Sequence, residues 1–213
     1  MTDKNSEHLQ SLQALVIADC NNPDAKGSAT LREIEAAMPS FTDAELLQLV
    51  DTAKQMALSG QGVLYQVNWI LGMMLQAFSE RLLPYQDQFV DELMAHALKL
   101  YKGPPSWVST LYFGLCQYDL GKYFEVITEM LLDNKFFEHN SAEQLFNLCR
   151  AYSTIDYSKI SKKRIMAQLY LLRKFRRENG FIYNDLKQWQ ADHICWDIDH
   201  IIWRLRYALI YRY

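Results

Sequence analysis

Apolar residues recur every three or four positions over most of the chain, and no segment alternates convincingly between apolar and polar. The first spacing puts one face of a helix on a core, whereas a half-buried strand needs the second. The chain therefore reads as helical throughout. "SEHLQSLQALVIADC" begins a first helix, and the turn-rich "NNPDAKGS" ends it. Thr30 and Glu33 stand at capping-box spacing, which predicts a short helix through Met38. Thr42 and Glu45 repeat that spacing, and behind them Leu46, Leu49, Val50, Ala53 and Met56 share a face until "SGQG" stops the helix. "VLYQVNWILGMMLQAFSERL" is the most apolar stretch and is expected at the centre of the fold. Pro84 suits the first turn of the next helix, whose core face is Phe89, Val90, Leu93, Met94, Ala97 and Leu100.

Residues 106–120 and 122–133 pair around Gly121, and Ser141 with Gln144 forms a third capping box before a helix to about Ile155. A basic helix then runs from about Ser161 to Asn179, with Ile165, Leu169, Leu172 and Phe175 as its buried stripe. Asn184 or Asp185 caps a long final helix. About ten helices joined by short loops predict an all-α fold and a single domain over 1–213. The helices are expected as stacked antiparallel hairpins, in a right-handed array or a compact bundle.

Within "LYFGLCQYDLGKYFEVITEML", Gly114, Gly121 and Tyr123 resemble the signature positions of a tetratricopeptide-type helical hairpin. In that pattern a small residue in the first helix admits the second, and a glycine makes the turn. Val126 departs from it, standing where the pattern prefers alanine. Further along, Phe146-Asn-Leu-Cys149 echoes Phe113-Gly-Leu-Cys116, although the turn glycine is absent. The resemblance covers residues 106–133, with a degraded echo after it. It implies stacked helix pairs with a grooved or concave surface that binds peptides, helices or domains.

The last helix, "ADHICWDIDHIIWRLRYALIYRY", has two contrasting faces on a helical wheel. Ile194, Ile198, Ile201, Leu205, Ala208 and Leu209 form a core stripe. Trp196, His200, Trp203, Tyr207 and Tyr211 fall on nearly the opposite side, flanked by Asp197, Asp199, Arg204 and Arg206. Either this aromatic face lies between two layers of the fold, or it is a docking surface. Trp, Tyr and Arg are the residue types that carry most interface energy.

Composition and charge sharpen the functional reading. Half the residues are hydrophobic and 28 are aromatic, which excludes wholesale disorder. Residues 1–158 hold 10 Lys+Arg against 20 Asp+Glu, a charge of −10, whereas residues 159–213 hold 12 against 5, a charge of +7. In the basic helix, Lys162, Lys163 and Arg164 cluster at the N-terminus, where the helix dipole disfavours cations, so an acidic ligand would offset them. Arg173, Lys174, Arg176 and Arg177 sit at the favoured end.

Cys20, Cys116, Cys149 and Cys195 are widely separated, as buried free thiols in a reducing compartment would be. The polar start "MTDKNSEHLQ" has no apolar signal region, so a cytoplasmic location is expected, with no membrane partner. No GxSxG, phosphate-binding loop or GxGxxG is present.

These features predict a non-catalytic protein–protein interaction module without a cofactor. An immunity- or antitoxin-type inhibitor and a regulatory adaptor are its two concrete forms. Its partner-binding residues are expected to be Trp196, His200, Trp203, Arg204, Tyr207, Tyr211, Lys162, Lys163 and Arg164. One alternative is a helical-repeat protein that binds RNA through the basic 159–177 helix. The other is a metal-dependent helical enzyme, for which His193, Asp197 and His200 would be ligands.

Overall fold

The computed structural model describes the backbone of residues 2–24, 28–101, 109–133, 150–152, 154–178 and 188–211. It describes the side chains of all of these except residues 2–5, 28, 101, 109 and 188–197. Among the described residues every regular element is helical, and the fold is all-α. No helix there is long and apolar enough to cross a membrane. Contacts gather the chain into two compact units, Met1–Tyr118 and Asp119–Tyr213.

The first unit contains α1 (Thr2–Asn21), α2 (Ser28–Ala37), α3 (Asp43–Ser59), α4 (Leu64–Ala77), the short α5 (Ser79–Leu82), α6 (Val90–Tyr101) and α7 (Ser109–Leu115). As its composition predicts, α4 is the central element, packing on α1, α2, α3 and α7. Val67, Ile70, Leu71, Met74 and Leu75 are all buried on it. Each such side chain taken fully out of water contributes on the order of 1.5–3 kcal/mol. Asn68 is buried among them and donates to Leu64 O at 2.9 Å.

The expected cap on α3 is present. Thr42 Oγ1 accepts from Glu45 N at 3.3 Å, and the Glu45 carboxylate accepts from Thr42 N at 2.7 Å. Gly60 ends the helix in the left-handed region (φ +69°), which glycine enters without a Cβ clash.

The Thr30–Glu33 expectation needs correction. Helix α2 already begins at Ser28, and Thr30 lies inside it with its hydroxyl donated to the Asp19 carboxylate of α1. A tertiary partner has taken the side chain that local spacing assigned to a cap. Pro84 likewise lies in a 3-10 segment, Leu83–Gln88, and α6 starts only at Val90. Of the expected core face of α6, Phe89, Val90, Leu93, Met94 and Ala97 are buried, whereas Leu100 is half-buried.

The second unit contains a 3-10 turn at Gly121–Tyr123, α8 (Phe124–Leu132), helical residues 150–152, a 3-10 turn at Tyr157–Lys159, α9 (Lys162–Glu178) and α10 (Gln188–Tyr211). Phe124 is central to its core, meeting Tyr152 and Tyr157 edge-on at centroid distances of 5.8 and 6.1 Å. The hydroxyls of these buried tyrosines are used. Tyr157 Oη donates to Tyr152 O at 2.8 Å, and Tyr152 Oη lies 2.5 Å from Thr128 Oγ1.

All four residues of the expected α9 stripe, Ile165, Leu169, Leu172 and Phe175, are buried. On α10, Ile198, Ile201, Leu205 and Ala208 are buried, Leu209 is half-buried, and the Ile194 side chain lies outside the described residues. The Ser141–Gln144 capping box and the Asn184 or Asp185 cap also lie outside them.

Candidate functional site

The aromatic face of α10 follows from its periodicity. Steps of three and four from residue 200 return to the side opposite Ile198, Ile201 and Leu205. His200 stacks on Trp203 with centroids 5.9 Å apart and planes at 29°. Trp203 stacks on Tyr207 at 5.5 Å and 29°, and Tyr207 meets Tyr211 at 4.4 Å and 36°. Four rings thus form one continuous ladder on the surface of the unit. Trp203 is 58% exposed, Tyr211 is 70% exposed, and neighbouring Ile210 is 68% exposed. Arg204 is half-buried beside the ladder, and the Trp196 side chain lies outside the described residues.

The three cations expected at the start of α9 divide. Lys162 and Lys163 are exposed. Arg164 is engaged with its own unit, where its guanidinium donates to both oxygens of Glu125 on α8, Nε at 2.6 Å and Nη2 at 2.5 Å. The Arg164 hydrogen bonds hold the Glu125 carboxyl below the usual range and raise the guanidinium further. The charge expected to call for an acidic ligand at this position is thus met within the chain.

At the other end of α9, Arg176 pairs with Asp199 of α10 at 3.3 Å, and Arg177 lies 3.7 Å from Glu178. Lys162, Lys163, Arg173 and Lys174 have no acidic partner among the described residues.

A groove of about 580 Å³ runs along α9 beside Leu209 of α10. Met166, Leu169 and Leu209 supply its apolar lining, whereas Lys162, Arg173, Lys174 and Arg177 supply charge around Tyr170. Met166 is 54% and Tyr170 65% exposed. Met166 is not among the partner-binding residues expected from the sequence. The signal available was its position, an apolar residue one step off the buried stripe of an otherwise charged helix face.

Of the other candidate groups, the side chains of Cys20, Cys116 and His200 are among the described residues. Cys20 and Cys116 are buried free thiols. Burial, with a smaller contribution from Asp19, pushes the Cys20 thiol up to about 12, so it is no nucleophile near neutral pH. Cys149 and the Cys195 side chain lie outside the described residues. Among the described residues no three His, Cys, Asp or Glu side chains come together as metal ligands, and the side chains of His193 and Asp197 lie outside them. His200, the third residue of that expected cluster, stacks on Trp203. No family model, curated protein or solved structure matches the chain.

Proposed function

We propose that the protein is a non-catalytic binding module that captures another protein through the aromatic face of α10. The observation that carries this reading is the ladder His200–Trp203–Tyr207–Tyr211, continuous and largely uncovered. Rings held against one another are already ordered, so docking onto them loses little side-chain entropy. They also combine a large apolar surface with polar edges, as buried anchors at interfaces do. An exposed aromatic strip of this kind is unusual unless something covers it during function.

The resemblance of residues 106–133 to a tetratricopeptide-type hairpin agrees with protein binding. An immunity- or antitoxin-type inhibitor and a regulatory adaptor are both forms of this reading, since either acts by occupying a surface of its partner.

The test is affinity purification from the native host with mass spectrometry, run in parallel with wild type and Trp203→Ala. An anchor residue contributes about 2 kcal/mol or more, so the variant should hold its partner roughly thirtyfold more weakly. Its far-ultraviolet circular dichroism should be unchanged, because the side chain is mostly in solvent. Capture by the variant at wild-type strength would refute the assignment.

A further inference from the structure

Resting on the protein-binding reading above, we propose that the groove beside α9 receives an acidic amphipathic helix of the partner protein. Three observations select that occupant. First, the groove is lined along α9 from Lys162 to Arg177, a distance of about 22 Å at the helical rise. That is about four helical turns, the length over which an amphipathic helix presents anchors at i, i+3, i+4 and i+7.

Second, its lining is apolar at Met166, Leu169 and Leu209, with Met166 held in solvent. Methionine adapts its shape to incoming aliphatic side chains. Third, Lys162, Arg173 and Lys174 border that lining with no acidic partner among the described residues. Carboxylates flanking the apolar stripe of an incoming helix would answer them, and the dipole at the start of α9 would then no longer be opposed by an unpaired Lys162. A polyphosphate chain would satisfy the cations but leave the apolar lining without a partner. The concave surface suits a rod better than a flat bilayer.

The experiment uses the full chain and a fluorescein-labelled, designed sixteen-residue helix with leucines on one face and glutamates on both flanks. Binding is read by fluorescence anisotropy. The comparison probes are the same peptide with every glutamate replaced by lysine, a fifteen-nucleotide oligouridylate, and phosphatidylglycerol vesicles.

The acidic helix should bind in the micromolar range, at least about tenfold more tightly than its lysine analogue, and weaken as salt rises. Arg173→Glu combined with Lys174→Glu should weaken it about tenfold or more, and so should Met166→Asp alone, with helical content unchanged. Trp203→Ala should leave probe binding as it is, because Trp203 does not line the groove. Loss of Trp203-dependent partner capture tests the ladder, and loss of probe binding tests the groove, so either can fail alone. Absence of binding, equal binding of the lysine analogue, or tighter binding of the oligouridylate or vesicles would each overturn the proposal.

Discussion

Gly72 and Gly114 meet backbone to backbone where α4 packs on α7. A methyl group built on Gly114 would stand 2.9 Å from the Gly72 Cα, and one on Gly72 would stand 2.7 Å from the Leu111 amide nitrogen. Both distances lie inside van der Waals contact, and the obstructing atoms are backbone, which cannot rotate away. Alanine is intrinsically the better helix residue by about 1 kcal/mol, so the two effects oppose each other. Here the packing effect wins. Gly114→Ala and Gly72→Ala are each expected to lower stability by roughly 1–3 kcal/mol, seen as a lower urea midpoint. An unchanged or higher midpoint would show that the helices can separate at little expense.

The same pair shows what was legible beforehand. By its resemblance to a helical hairpin the sequence marked Gly114 as the small residue that admits the helix after it, whereas in the structure Gly114 packs on Gly72 of α4. Nothing local could say that the two glycines would face each other, because that depends on which helices become neighbours. The Thr42–Glu45 cap was legible because both partners lie within one turn. Thr30 misled because its hydroxyl bonds Asp19, eleven residues away.

For the candidate site, the period of α10 alone placed Trp203, Tyr207 and Tyr211 together, whereas their exposure required the packed structure. Arg164 read as an unsatisfied cation because Glu125 is 39 residues distant and carries no mark of the pairing. The groove at Met166 was not legible for a related reason. Its apolar lining borrows Leu209 from another helix.

Arg81 ties the segment before α3 in place with one planar group. Its guanidinium donates to Asp43 Oδ1 from Nε at 2.8 Å and from Nη2 at 2.6 Å. It also reaches Met38 O at 3.0 Å and Phe41 O at 2.7 Å. A lysine ammonium keeps the charge but cannot reproduce that fork. Arg81→Lys is therefore expected to lose about 1–2 kcal/mol in denaturant unfolding, since two carbonyls and a carboxylate lose partners. Equal stability of the lysine variant would mean that charge alone suffices there.

The Glu125–Arg164 pair gives the second unit an acid-sensitive contact. Glu125 is held below its ordinary value near 4.5, mainly by the Arg164 hydrogen bonds. A carboxyl lowered in the folded state stabilises the fold above its unfolded pKa, and the stabilisation fades as pH falls through the folded one. The window therefore opens near pH 4.5 and extends downward. Both side chains remain partly in solvent, which limits the pair to about 1 kcal/mol at pH 7. Glu125→Gln should remove that increment at pH 7 and converge with wild type in strong acid. Parallel stability curves for the two proteins across pH 2–7 would contradict the sign worked out here.

Cys20 illustrates how burial alone can silence a reactive group. Its side chain is wholly buried on α1, and its carbonyl accepts from Val63 N at 2.7 Å, anchoring the approach to α4. With the thiol pushed up to about 12, the reactive thiolate at pH 8 is about one part in ten thousand, before access is considered. Labelling of Cys20 by a disulfide reagent should therefore wait for the chain to open. Peptide mapping after native labelling at pH 8 should find Cys20 unmodified, and its labelling rate should climb with urea in step with unfolding. Cys116, also buried, should follow the same course. Rapid native labelling at Cys20 would mean that α1 separates from the core far more readily than its packing implies.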